Sequence, residues 1–378
     1  MNKKILFVVN ELNFFLSHRL SIAKEASING YSVHLAIENK KLTKVENEHL
    51  KDFQIHNYYV SRSNLNIIFE IFTFISLFFL IKKVNPHLVH LITMKPIIYG
   101  GIINRILNIK SQVISVTGMG YIFINKKKMK IRLLNFIVKN LLKFAINHKN
   151  QKIIVQNSSD LNEFLRIKKI SDKNFILIPG SGVNLNLFNY IPENKNNNLI
   201  IMVCRLLKDK GVYEFIEAEK KIRNKNIKAR FWLVGNIDLS NPSSLSSKDI
   251  ENIKKDSKVK FLGFRKDISR LYKYSNIAVL TSYREGFPKS LIEASACGRP
   301  IITTDVPGCR DSIINNVTGI LINKKNSQQL CDAIELLLKN NTLRKKMGYQ
   351  ARINAENKYD INDVIFKHME IYNKLINL

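Results

Sequence analysis

Short, almost wholly apolar runs alternate along this chain with longer stretches in which apolar residues recur at helical spacing. In the first half, residues 5–9, 32–36, 88–92, 112–116, 152–156 and 174–178 read as strands. The spacing predicts helices between them, for instance over 96–107. The alternation stops at Pro179-Gly180-Ser181-Gly182-Val183-Asn184 and the polar loop 192–198, then restarts. Strands follow at 199–204, 229–234, 259–262, 277–281 and 301–304, with helices at 213–222, 268–274 and 289–297. Helical patterns at 328–339, 343–354 and 361–378 close the chain. Strands alternating with helices form parallel sheets covered on both faces. The expected fold class is α/β, as two doubly wound halves of similar size. Ligands of such sheets bind beyond the carboxyl ends of the strands, which predicts a site in the cleft between the halves.

The start, Met1-Asn2-Lys3-Lys4 before the apolar run 5–9, has the look of a signal peptide. Asn10-Glu11 cuts that run to five residues, short of the roughly 7–15 of a signal h-region. A buried first strand is the better reading. The most apolar stretch, 67–81, has 15 residues and contains Glu70. A spanning helix needs about 20 apolar residues, so 67–81 is expected to be either buried between layers or docked on a bilayer.

With 378 residues, 45% hydrophobic and 24% charged, the chain is a folded globular protein rather than a disordered or fibrous one. Its four cysteines, Cys204, Cys297, Cys309 and Cys331, form no C-x-x-C pair, which argues against a disulfide framework or a Cys-based zinc site and fits a reducing cytosol. The formal net charge is +30, and it is unevenly distributed. From Ile71 to Ser159 there is no Asp or Glu, against 14 Lys or Arg. The densest part, Lys126-Lys127-Lys128-Met129-Lys130-Ile131-Arg132, runs into a basic amphipathic helical pattern with Lys139 and Lys143 four residues apart. Such a helix reads as a membrane-surface element, the alternative being a core helix with solvated lysines. A nucleic-acid-binding protein would show a reading module or stacked aromatics, and neither is found, so no nucleic-acid partner is expected.

The sharpest chemistry lies in Ser282-Tyr283-Arg284-Glu285-Gly286-Phe287-Pro288-Lys289-Ser290-Leu291-Ile292-Glu293, which follows a strand and opens a helix. Gly286 permits a tight turn and close backbone approach to a ligand. Pro288 suits the start of a helix, where a missing N–H costs nothing. First-turn N–H groups around Ser290 and Leu291 are expected to be free for a phosphate. Glu285 and Glu293 can both face a polyhydroxylated ligand. Against this, Glu285 could be simply solvated, and Ser290-x-x-Glu293 is also a capping box. A second strand-to-helix segment holds Arg205 and Lys210-Gly211. There the Arg fork and the Lys point charge can converge on a diphosphate.

The pair Arg205-x4-Lys210-Gly211 and Glu285-Gly-Phe-Pro-x-x-Leu-x-Glu293 resembles the donor-binding signature of retaining glycosyltransferases of family 4. That family has the GT-B fold, two facing Rossmann-like parallel-sheet domains. The likeness covers the whole C-terminal half, and the E-x7-E motif with G-F-P is highly specific. Gly182-Val183-Asn184 resembles the domain junction and Phe261-Leu262-Gly263-Phe264 the base-binding region. More loosely, Phe14-Phe15-Leu16-Ser17-His18-Arg19 and Thr117-Gly118-Met119-Gly120-Tyr121 are similar to bacterial enzymes that build O-antigens, capsules and N-glycan precursors on undecaprenyl diphosphate. Among these, the chain is similar to members that add N-acetylgalactosamine α1,3 to a lipid-linked amino sugar.

The resemblance implies a domain at 1–180 that faces acceptor and membrane, a nucleotide-sugar donor domain at 181–360, and a helix at 361–378 crossing back to the first. It implies that Arg205 and Lys210 hold a UDP diphosphate and that Glu285 bonds sugar hydroxyls. Gly286, Phe287 and Pro288 would line the donor, with Ser290 and Leu291 at the phosphate, Glu293 at the ribose and Phe264 near the base. Two departures stand out: Asn10-Glu11-Leu12-Asn13 replaces a glycine pair, and Thr117-Gly118 replaces a histidine. His18, Arg19, Thr117 and Gly118 are the acceptor-side candidates, although a lone His is often a structural residue. Lys126, Lys127, Lys128, Lys130 and Arg132 would form a patch for a lipid diphosphate at the anionic inner membrane surface. The expected partners are a UDP-sugar and a lipid-diphosphate-linked saccharide, and the expected location is the cytoplasmic face of the bacterial plasma membrane. No D-x-D triplet occurs, so no metal cofactor is expected to be obligatory. The alternatives are a UDP-N-acetylhexosamine 2-epimerase of the same fold, or a transferase with a different hexosyl donor.

Overall fold

The computed structural model describes residues 2–61, 66–118, 129–166, 171–193 and 197–377, and the side chains of 129–134 lie outside that description. The chain divides into two compact units: unit 1 is Met1–Ile178 with Asp363–Leu378, and unit 2 is Pro179–Asn362. Among the described residues, unit 1 holds strands β1 (Lys4–Val8), β2 (Ser32–Glu38), β3 (Gln54–Tyr58), β4 (Leu88–Ile92), β5 (Ser111–Val116), β6 (Gln151–Val155) and β7 (Phe175–Leu177). Its helices are α1 (Leu12–His18), α2 (Leu20–Ile28), α3 (Lys44–Leu50), α4 (Ile67–Val84), α5 (Met94–Ile106), α6 (Met129–Ala145) and α7 (Ser158–Leu165). Unit 2 holds β8 (Leu199–Val203), β9 (Arg230–Val234), β10 (Lys260–Phe261), β11 (Ile277–Leu280), β12 (Ile301–Thr304) and β13 (Gly319–Ile322). Its helices are α8 (Val212–Asn224), α9 (Ser247–Asp256), α10 (Ile268–Tyr274), α11 (Lys289–Ala296), α12 (Ser327–Lys339) and α13 (Asn341–Lys358). The last helix, α14 (Ile361–Ile376), carries the chain back into unit 1, where Tyr372 and Leu375 share a core with Phe7 and Leu35.

Each sheet is parallel throughout, in the orders β3-β2-β1-β4-β5-β6-β7 and β10-β9-β8-β11-β12-β13. Strands such as Leu199–Val203 and Ile277–Leu280 are continuous apolar runs because helices cover both their faces. The order reverses between β1 and β4 in unit 1 and between β8 and β11 in unit 2. Such a switch point opens a crevice at the carboxyl ends of the two central strands.

Two strands, β3 and β13, escaped the sequence reading. Each lies at a sheet edge or is very short: QIHNY is largely solvent-facing, and GILI has four residues. Neither offers a long apolar run.

Candidate active site

At the unit 2 switch point, β8 runs into Cys204 and Arg205, whose loop is pinned across the sheet. Cys204 N–H donates to Val234 at 3.0 Å, Leu206 N–H to Asn236 at 2.9 Å, and Lys208 N–H to Ser243 at 2.8 Å. Gly235, at φ 137°, is needed here, since a Cβ on it would sit 1.8 Å from the Cys204 carbonyl oxygen. Arg205 reaches Asp238 at 2.6 Å with its side chain 44% exposed. A single turn, Lys208–Lys210, leads to left-handed Gly211 at the start of α8. A Cβ there would lie 2.2 Å from the carbonyl oxygen of Thr281, so only glycine lets this loop press against the end of β11.

The β11 loop is locked from both sides. Tyr283 N–H donates to Asp209 at 2.9 Å, and the Thr281 hydroxyl donates to the Gly211 carbonyl at 2.8 Å. Glu285 N–H donates to Pro307 at 3.2 Å. A Cβ on Gly308 would lie 2.5 Å from the Gly286 oxygen. These constraints bring the two sequence segments together. Lys210 Nζ forms an ion pair with Glu285 Oε1, the side chains being 18% and 12% exposed, and the Ser282 hydroxyl donates to the same oxygen at 2.5 Å. Ser282 and Asp238 were not singled out from the sequence, since a Ser at a strand end and an Asp in a loop are common; only their partners mark them.

Phe287 is buried against Tyr359, ring centroids 5.6 Å apart. Pro288 is the N-cap of α11, so Ser290 is the second helical residue and no capping box forms. The capping alternative for Glu293 is therefore overturned: a box needs Ser at the cap, outside the helix. The expectation of a free Leu291 N–H also fails, because it donates to Pro288 at 3.1 Å and tightens the first turn. Glu293 lies 3.7 Å from Lys289, and burial pushes its carboxyl up to about 7, partly offset by that lysine. Phe264 follows β10, two strands from β8, and is 67% exposed. Burial pushes the Cys204 and Cys309 thiols up to about 12, which removes them as nucleophiles at neutral pH.

The acceptor-side candidates lie in unit 1. His18 ends α1, stacks on Phe14 at 4.2 Å and has Nδ1 2.7 Å from the Ser17 hydroxyl. Arg19 is 1% exposed; it donates to the His18 carbonyl at 3.0 Å, its Nε has no hydrogen-bond partner among the described residues, and burial lowers its pKa to about 10. Thr117 and Gly118 follow β5. Lys126, Lys127 and Lys128 lie outside the described residues, as do Met119-Gly120-Tyr121 and the side chains of Lys130 and Arg132 in α6. The switch point of unit 1 instead presents Asn10 and Thr93, whose side chains meet at 3.0 Å; the loop containing Asn10 was noted, but nothing in the sequence marked Thr93. Among the described residues no group of three or more His, Cys, Asp or Glu is placed to hold a metal.

Two parallel sheets, each with a switch point, give the fold class of the GT-B glycosyltransferases. Residues 4–157 match the family described as Glycosyl transferase 4-like and residues 185–354 the one described as Glycosyl transferases group 1, and the chain belongs to this glycosyltransferase family. It is 31% identical over 332 residues to the N,N'-diacetylbacillosaminyl-diphospho-undecaprenol alpha-1,3-N-acetylgalactosaminyltransferase of Campylobacter jejuni, covering 84% of this chain and 85% of that one. It is 27% identical to the UDP-Gal:alpha-D-GlcNAc-diphosphoundecaprenol alpha-1,3-galactosyltransferase of Escherichia coli, over 72% of this chain and 71% of that one. Anabaena HepE, solved in complex with UDP and glucose, shares the fold with a TM-score of 0.76 at 18% identity, over 98% of this chain and all of that one.

Proposed function

We propose that this enzyme transfers N-acetylgalactosamine, in α1,3 linkage and with retention, from its UDP derivative to an undecaprenyl-diphosphate-linked saccharide. The reaction serves bacterial surface polysaccharide assembly at the cytoplasmic face of the membrane. One observation carries the reading: the Lys210–Glu285 pair at the β8/β11 switch point, with Arg205 on the same loop as Lys210. The names of the Campylobacter and Escherichia relatives, both α1,3-transferases on undecaprenyl-diphosphate acceptors, support the substrate class. The UDP bound to the HepE fold supports the nucleotide.

In this reading the diphosphate draws Lys210 away from Glu285, which frees the carboxylate for the sugar hydroxyls. The acceptor hydroxyl oxygen attacks the anomeric carbon on the face that the nucleotide leaves. The bond from that carbon to the β-phosphate oxygen breaks, its electron pair stays on the diphosphate, and a phosphate oxygen takes the hydroxyl proton. Charge accumulates on the diphosphate, where Arg205 and Lys210 act. One preorganised donor of this kind contributes about 2.7–4 kcal/mol to the transition state. The two cations take the part that a divalent ion plays elsewhere, so the reaction proceeds without metal.

The test supplies UDP-N-acetylgalactosamine and a synthetic lipid-diphosphate amino sugar, with EDTA present throughout. The expected product is α-linked by NMR. A β-linked product overturns retention, and loss of activity in EDTA overturns metal independence. Conversion of the UDP-sugar with no acceptor present would make the enzyme an epimerase.

A further inference from the structure

The long helix α4 is neither buried all round nor solvated all round. Thr73, Leu77, Ile81 and Val84 face the core of unit 1. Glu70 and Ser76 also have their partners within unit 1. Glu70, the helix's one carboxylate, pairs with Lys95 at 2.5 Å and accepts from the Tyr99 hydroxyl at 2.6 Å. The Ser76 hydroxyl accepts from Tyr59 N–H at 3.1 Å and donates to Thr73 at 3.0 Å. What remains outside is a row of large apolar side chains, Ile68, Ile71, Phe72, Ile75 and Phe79, with Ile68, Phe72 and Phe79 exposed by 65%, 58% and 62%. Their spacing of three and four residues puts them on one stripe. The stripe ends at exposed Lys82 and Lys83.

A second apolar row lies on the same side of the sheet. Helices α4 and α6 both rest on α5, and Leu77, Ile98 and Leu142 share one core. On α6, Phe136, Ile137, Leu141 and Phe144 are exposed, with Leu141 between exposed Lys139 and Lys143 and the others flanking them. Apolar area of this kind on a folded protein marks a docking surface. The charge around it selects the occupant: residues 71–159 contain 14 basic and no acidic residues, so an anionic surface is attracted and a cationic protein is not. No helix among the described residues is long and apolar enough to cross a membrane.

We propose that the outward stripe of α4 inserts into the headgroup–acyl boundary of an anionic bilayer, with α6 beside it and Lys82, Lys83, Lys139 and Lys143 at the lipid phosphates. The proposal rests on the membrane-surface reading above and assigns the insertion to α4, for which the sequence left burial and bilayer docking open, beside the basic amphipathic helix α6 that the sequence marked as a membrane-surface element.

Vesicle flotation tests it, using phosphatidylcholine vesicles with and without phosphatidylglycerol. The wild-type chain is expected to float with the anionic vesicles. Ile71→Glu/Phe79→Glu is expected to lower the partition coefficient by at least about tenfold, while Leu336→Glu, on an exposed site of unit 2, leaves it unchanged. Wild type that does not float overturns both this inference and the membrane reading. Wild type and double variant floating equally overturn the role of α4 alone. A wild-type dimer in solution that the double variant converts to monomer also overturns it, since the stripe would then seat a second copy. Should the charged variant fold poorly by circular dichroism, Phe79→Trp in a Trp232→Phe background decides the matter. Blue-shifted emission on adding anionic vesicles supports insertion, and unshifted emission overturns it.

Discussion

At the switch point of unit 2 the loops carry Arg205, Lys210 and Glu285, with Lys210 and Glu285 paired and mostly buried. At the corresponding point of unit 1, between β1 and β4, stand Asn10 and Thr93, joined by a neutral hydrogen bond of 3.0 Å. Nearby, at the end of β2, Glu38 accepts at 2.9 Å from the N–H of Leu12, the first residue of α1. Thr93 adopts φ 72°, a conformation that β-branched residues avoid, so the fold holds that position against a steric cost. The same winding therefore presents two chemistries. One crevice has opposite charges that cancel in an ion pair, and the other has an amide and a hydroxyl joined to each other.

Breaking the charged crevice has the largest expected effect. Lys210→Ala and Glu285→Ala should each lower the transfer rate by about 10²–10³-fold. Each should also cost stability, about 1–3 kcal/mol, because the remaining partner is left with little solvent. Urea melts should show the double variant regaining part of that stability while its transfer rate stays low. Wild-type rates in either single variant would refute the site.

The glycines that shape this crevice come next. Gly235→Ala should cost about 2–4 kcal/mol, since both a left-handed backbone and a 1.8 Å approach to Cys204 oppose it. Gly30 in unit 1, at φ 81° with nothing within 4 Å of a Cβ, sharpens the contrast. Only the backbone cost remains there, so Gly30→Ala should lose about 1 kcal/mol. Equal losses at the two positions would remove the steric argument.

The effect at Glu293 depends on pH and vanishes in acid. Its carboxyl titrates near 7 in the fold against an ordinary value of 4.5. The folded state thus favours the proton, so the stability from Glu293 is complete below about pH 4.5 and is lost as pH rises through 7. Glu293→Gln should accordingly be neutral near pH 5 and stabilising by about 1–3 kcal/mol near pH 8. A difference that does not change with pH would show that the carboxyl is not desolvated.

Much of this was readable along the chain. The apolar runs marked eleven of the strands within a residue or two, because parallel strands covered on both faces leave little room for polar residues. The Arg205–Gly211 and Glu285–Glu293 segments were legible as strand-to-helix loops. Their meeting was not: Lys210 and Glu285 lie 75 positions apart, and only the β8–β11 adjacency joins them. The Ser290-x-x-Glu293 spacing offered a capping box that does not form, because the helix begins at Lys289, two residues earlier than a cap at Ser290 requires.

The sequence by itself determined the two windings, the strand-to-helix loops that carry Arg205, Lys210 and Glu285, and the acid-free basic stretch, since these follow from backbone periodicity and residue chemistry close in the chain. Tertiary structure decided which face of α4 meets solvent, which charges cancel at β8 and β11, and that Glu293 lies in a desolvated place. Those depend on which distant elements become neighbours, and strand order is set by the burial of whole faces rather than by any local pattern.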